Sequence, residues 1–165
     1  MTGQRRVAGT SAKRVDGIAK VTGAARYAID LSIPGMAHAV VVRSTRAHAR
    51  LARIDRDAAA RAVGVLKVIT GDDLIAAGLT PYYGHVVLDH PVLAIGKVRF
   101  QGEPVALVVA ESRLDAAEAA DLIEVTYEDL PSVIDADAAL DVDAPLLHEQ
   151  RGAQVGDEGM DQGAG

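Results

Sequence analysis

Apolar residues recur along this chain in two different periods, and the switches between them mark its elements. Residues 26–31 read as a short strand, closed at residues 32–35, where Pro34 and Gly35 supply turn geometry. Residues 36–43 form a β-rich run in which Val40, Val41 and Val42 are apolar on both faces, which predicts a strand covered on both sides. Residues 49–54 alternate, with Ala49, Leu51 and Arg53 on one face and Arg50, Ala52 and Ile54 on the other. Asp55 suits the N-cap of an Ala-rich turn over residues 56–62 that Gly64 ends. After a strand at 65–69, a short helix starts at Thr70 or Gly71. Asp72 and Asp73 complement its N-terminal dipole, and Gly78 suits its C′ position.

Residues 79–91 are the least regular stretch and read as a long loop. Residues 97–100 and 104–110 predict two strands joined tightly through Gln101-Gly102-Glu103, with Gly102 at positive φ. Val105 to Val109 is apolar on both faces and is expected at the centre of the sheet. Ser112 with Asp115 marks a helix start. The helix carries Ala116, Ala119, Ala120 and Ile123 on one face, opposite Glu111, Asp115, Glu118 and Asp121. Residues 124–128 predict a strand with Val125 and Tyr127 inward, stopped by Leu130-Pro131, and residues 135–140 one short turn. With no regular βαβαβ rhythm, the expected class is α+β.

Composition adds constraints to this pattern. The 165 residues are 49% hydrophobic but 3% aromatic, so Val, Ile, Leu and Ala must fill the core and backbones must approach closely. There is no cysteine, which excludes disulfides and thiolate-held zinc or iron–sulfur clusters on these residues. The formal charge of -6 is uneven, since residues 135–165 hold eight Asp and Glu against one Arg. No basic stripe with interleaved aromatics supports nucleic-acid binding. With no apolar h-region and no run long enough to span a bilayer, a soluble, cytoplasmic protein is expected. The organisation expected is a polar arm over 1–13, one domain over 14–140, and a solvated acidic, Gly-rich tail over 141–165.

The candidate chemistry is sparse. His38, His48, His85, His90 and His148 show no HExxH or HxxxH spacing. His85 and His90, with Asp89 between them, could converge on a metal, but turn and interface packing is the favoured reading. Ser44 and Thr45 lie near His48, yet a triad also needs an oxyanion hole and an orienting third group, and no GxSxG occurs. Glu103 beside Pro104 is expected to be exposed or ion-paired rather than a general base. No GxGxxG or GxxxxGK[ST] loop is present. No catalytic, cofactor-binding or metal-binding residue is assigned.

Three blocks carry more information than any single residue. The first spans residues 13–55, with RVDG at 14–17, KVTG at 20–23, PGM at 34–36 and RSTRAHARL at 43–51. The second is RFQGEPVALVVA at 99–110, and the third is EVTYEDLP at 124–131, followed by Pro145-Leu146-Leu147-His148-Glu149. In this order they resemble the start of the large subunit in the molybdenum hydroxylases, the family of xanthine dehydrogenase, aldehyde oxidase and carbon monoxide dehydrogenase. The resemblance implies an α/β hammerhead domain, a small mixed sheet flanked by short helices. It further implies an oxidoreductase complex containing molybdopterin-held molybdenum, iron–sulfur clusters and FAD, with molybdopterin-binding domains, an iron–sulfur subunit and a FAD subunit as partners. The family's pterin contacts and active-site glutamate lie in later domains, so none is carried over. A module that packs on the cofactor domains is therefore expected, its role for His48 being a turn or an interface. The rival is a non-enzymatic scaffold protein that keeps the fold.

Overall fold

The computed structural model describes residues 11, 13–84 and 87–148, so His85, nearly all of the expected arm and most of the acidic tail lie outside the described residues. These residues fall into two compact units divided after Met36. In the first, helix α1 (Gly17–Val21) is bracketed by contacts of Asp16 with Arg14 at 2.6 Å and Lys20 at 2.5 Å. The strand expected at 26–31 is instead a 3₁₀ turn, Ala28–Asp30. Asp30 sits three residues after Tyr27, and its carboxylate accepts the Tyr27 N–H at 2.9 Å. This local bond competes with an extended chain. None of the described residues of this unit is buried.

The second unit holds the sheets. Strand β1 (His38–Arg43) is followed by β2 (Ala49–Asp55), α2 (Asp57–Ala60), β3 (Val65–Thr70) and α3 (Gly71–Ala76). Two-residue strands β4 (Tyr82–Tyr83), β5 (His90–Pro91) and β6 (Lys97–Val98) lead to β7 (Pro104–Ala110), α4 (Arg113–Asp121) and β8 (Glu124–Asp129). A last 3₁₀ turn lies at Ala138–Leu140, inside the stretch where one short turn was expected. β1, β7 and β3 form one three-stranded sheet with β7 at its centre, as the apolar run implied. β6, β2 and β8 form a second, and β4 with β5 a ribbon that ties together part of the expected loop. Every pair among the described strands is antiparallel.

Two expectations about strand pairing are overturned. The strands either side of Gln101-Gly102-Glu103 do not pair with each other: β6 joins β2 and β7 joins β1 and β3, so the turn carries the chain from one sheet to the other. Gly102 does take the expected positive φ, +92°. β1 is an edge strand with one covered face, because Val40 and Val42 are half-buried while Ala39 and Val41 are exposed. In β2, Leu51 pairs with Tyr127 and Arg53 with Thr126, which makes Ala52 the extra residue of a β-bulge. The bulge shifts the alternation, and Ile54 joins Ala49 and Leu51 on the core side instead of facing away.

Two apolar clusters result. Ala49, Ala94, Val98 and Val105 are sealed between the sheets, with Leu51, Ile54, Val125 and Tyr127 packed against them. Ala59 of α2 and Ala119 of α4 meet Val68 and Val108 on one face of the first sheet. Ala116 and Ala119 are fully buried, so the small face of α4 brings its backbone close to the strands, as expected for an Ala-rich core. Local signals hold at the helix ends. Ser112 Oγ accepts the Asp115 N–H at 3.1 Å, Thr70 and Asp73 form a capping box, and Gly78 has φ +70°.

Candidate functional site

All three sequence blocks meet at one buried corner between the two sheets. Ser44, at the end of β1, donates its N–H to the Glu103 carbonyl at 2.8 Å and accepts the Gly102 N–H on its own carbonyl at 2.8 Å. Arg43 Nη1 donates to the Gly102 carbonyl at 2.9 Å, so RSTRAHARL is stitched to RFQGEPVA. The Ser44 hydroxyl is spent locally. It accepts the Arg46 N–H at 3.0 Å and donates to the Arg46 carbonyl at 2.9 Å, an ST-turn that aims the chain at β2.

Glu103 is 1% exposed. Its Oε2 accepts the Arg99 N–H, and Arg99 Nη1 lies 3.6 Å from its Oε1. The ion-paired half of the expectation holds and the exposed half does not, because the crossover between sheets turns this side chain inward. A sealed carboxylate holding a backbone N–H cannot reach a substrate proton.

His48 is also buried, at 6% exposure. Its ring lies 2.6 Å from the Pro131 carbonyl through Nδ1, and its own carbonyl accepts the Leu130 N–H at 2.9 Å. A carbonyl only accepts, which assigns a proton to Nδ1. The side-chain-to-backbone bond expected of His48 is present, but it spans 83 residues and pins the end of β8 to the start of β2 rather than fixing a local turn. The ladder places Ala49 opposite both Val98 and Asp129, so His48 and Arg99 flank the same sheet end. His48 Nε2, Arg99 Nε and Glu103 Oε1 are the buried side-chain atoms without a hydrogen-bond partner among the described residues. Their concentration in two of the blocks marks this corner as the most polar part of the interior.

Among the described residues no hydrogen bond joins His90 or His148 to it. His90 pairs with Asp89 at 2.6 Å and lies 5.7 Å, ring to ring, from Tyr83, on the exposed β4–β5 ribbon. His85 lies outside the described residues. Part of His148 reaches solvent, yet burial and then the Arg99 charge lower its pKa, favouring the neutral ring. No hydrogen bond among the described residues joins Ser44 or Thr45 to His48. No three His, Asp or Glu side chains among the described residues come together in a way that could hold a metal.

Sequence reasoning missed a second polar node. Arg56 grips Asp73 while Asp73 caps Thr70, accepting its N–H at 2.7 Å and its hydroxyl at 2.9 Å. The Arg56 guanidinium holds the Asp73 carboxyl well below its usual range, and Asp73 in turn raises Arg56. The Thr-x-x-Asp spacing from Thr70 to Asp73 is the signal that could have found the cap, but nothing local pointed to Arg56. This node borders a groove of 260 Å³ lined by Ala52, Arg53, Arg56, Thr70 and Gly96 among others, without a nucleophile–base pair.

Residues 22–131 match the model of the aldehyde oxidase and xanthine dehydrogenase a/b hammerhead domain. The chain is 43% identical over 142 residues to the carbon monoxide dehydrogenase large chain of Afipia carboxidovorans, covering 86% of this chain and 17% of that one. It is 38% identical over 135 residues to subunit gamma of the 6-hydroxypseudooxynicotine dehydrogenase complex of Paenarthrobacter nicotinovorans, covering 73% and 16%. Among solved structures, a Cu,Mo-CO dehydrogenase in its carbon monoxide reduced state superposes with a TM-score of 0.77 at 43% identity, over 86% of this chain and 18% of that one. The chain thus spans less than a fifth of the length of these relatives.

Proposed function

Because the chain belongs to the aldehyde oxidase and xanthine dehydrogenase hammerhead domain family, we propose that it is the hammerhead module of a molybdopterin-dependent oxidoreductase. It packs against the molybdenum-cofactor domains and is not catalytic alone. The observation that carries this reading is the convergence of the three sequence blocks on a sealed structural corner, whose own polar side chains among the described residues are closed off from a substrate.

The described residues do not fit a molybdenum–pterin group. The polar side chains of the corner are closed off from outside and engaged with backbone, and no cluster of ligating side chains is assembled among the described residues. We place the cofactor contacts in the part of the relatives that lies beyond this match. Molybdopterin-held molybdenum, iron–sulfur clusters and FAD belong to the whole complex, and iron–sulfur and FAD subunits are the further partners. The module's contribution is positional, and its bounds are taken as residues 14–140. No helix among the described residues is long and apolar enough to cross a membrane, and we place the complex in the cytoplasm.

Within such a complex the corner makes the module rigid. One set of hydrogen bonds joins the end of β1, the start of β2, the crossover before β7 and the end of β8, so a neighbouring domain meets a fixed surface. Deleting the coding sequence of this chain in its source organism should abolish a molybdenum-dependent dehydrogenase activity, and supplying the chain should restore it. Unchanged activity in the deletion strain would refute the reading.

A further inference from the structure

The first sheet has two faces of unequal fate. Val42, Val68 and Val108 are packed under α2 and α4. On the reverse face the ladder aligns Val41 with Leu107 and Ile69, and Ala39 with Val109 and Lys67. Val41 is 36% exposed, Ala39 is exposed, and Leu107, Val109 and Ile69 are half-buried. None of these five belongs to either buried cluster. At one end the face runs into the seam between the sheets through Val105, which is fully buried. It is a contiguous apolar surface with a charge at each end, Lys67 at the far end and Arg43 beside the seam, where the Arg43 guanidinium donates to the Gly102 carbonyl.

The size of the face bears on what covers it. Three strands about 4.8 Å apart and about six residues long, at roughly 3.3 Å each, give about 300 Å². A free-standing dimer needs about 800 Å² on each partner, so two copies pressed together here would not hold. A domain held in the same large assembly needs far less, because the rest of the interface supplies the association. The relatives have more than four-fifths of their length beyond the part this chain matches.

We propose that the Val41–Leu107–Ile69 face is the docking surface of this module for the remaining domains of a molybdenum hydroxylase large subunit. Its occupant is an apolar surface with a carboxylate at the rim facing Lys67. This inference rests on the packing reading above and specifies which face does the packing.

Hydroxyl-radical footprinting of the full chain, alone and within the complex isolated from its source organism, tests it. The expected result is a drop of about fivefold or more in labelling at Val41, Leu107 and Ile69 on assembly, since a dry interface excludes water, with Leu114 on the outer side of α4 unchanged. The variant Val41→Lys should lower recovery of the complex while circular dichroism of the chain stays native, and Leu114→Lys should not. Equal labelling of the face in both states would overturn the assignment while leaving the packing reading intact. A chain recovered without any larger partner would overturn both. A dimer of the isolated chain that Val41→Lys dissociates would replace the proposed occupant with a second copy.

Discussion

Replacing Glu103 with Gln removes one charge from the interior and little volume. Glu103 is 1% exposed and the Arg99 side chain 14%, so water cannot compensate the guanidinium that remains. The Gln carbonyl can still accept the Arg99 N–H, but its amide group then turns two donors toward a donor. Breaking a buried pair from one side costs about 3–5 kcal/mol, out of a net stability of roughly 5–15 kcal/mol for a domain. The exposed Arg53–Asp55 pair, with side chains 70% and 34% exposed, serves as the comparison. Arg53→Gln should cost about 0.5 kcal/mol or less. Urea unfolding followed by circular dichroism would measure both. The double variant Glu103→Gln/Arg99→Met should recover part of the loss, because removing both buried charges is close to neutral. A Glu103→Gln cost below about 1 kcal/mol, no greater than that of Arg53→Gln, would refute the claim that the corner is a buried electrostatic node.

Three further outcomes follow from the packing. The Asp73 carboxyl is held below its ordinary value of 3.8, so its contribution is complete above that value and is lost as pH falls; the stability gap between the natural chain and Asp73→Asn should close in acid, and a gap independent of pH in urea midpoints would contradict this. Because of the bulge, Ile54→Ala should destabilise by about 1–2 kcal/mol while Ala52→Ser stays within about 0.5 kcal/mol, and comparable losses in thermal unfolding would mean the register is wrong. A Cβ at Gly71 would lie 2.6 Å from Ile95 Cγ1 and 2.7 Å from the Ala94 carbonyl, so Gly71→Ala should cost about 1–3 kcal/mol in the same unfolding assay.

What was legible in the sequence was local. Ser112 with Asp115 and Gly78 each act within one helical turn, and the structure has them where the pattern placed them. The continuous apolar run of Val105–Val109 was expected at the centre of the sheet and β7 is there, whereas the similar run Val40–Val42 lies on an edge strand, so such a run does not by itself tell centre from edge. Pairing was not legible. Gly102 announced a reversal, but a reversal does not say which sheet edge the next strand joins, so a hairpin was read where the chain crosses between sheets. The same crossover buries Glu103, which a hairpin would have exposed. Ala52 looked like an ordinary alternating residue, since a bulge is set by the partner strand and not by its own side chain.

The blocks themselves announced a family before any fold was known, and their meaning changed once they were placed. They are a scaffold: His48, Ser44 and Glu103, read one at a time, suggested chemistry, whereas together they close a seam. The GEPVA string makes physical sense as a crossover that needs Gly102 at positive φ and then an inward carboxylate to hold the Arg99 N–H.

The central claim, that this chain is one module of a molybdenum enzyme, is tested most directly by molybdenum itself. Tagged chain isolated under native conditions from its source should elute from size exclusion far above its own 17.2 kDa, with molybdenum measured by mass spectrometry following the same peak. Elution at the mass of the chain alone, with no molybdenum in the fractions, would contradict the account.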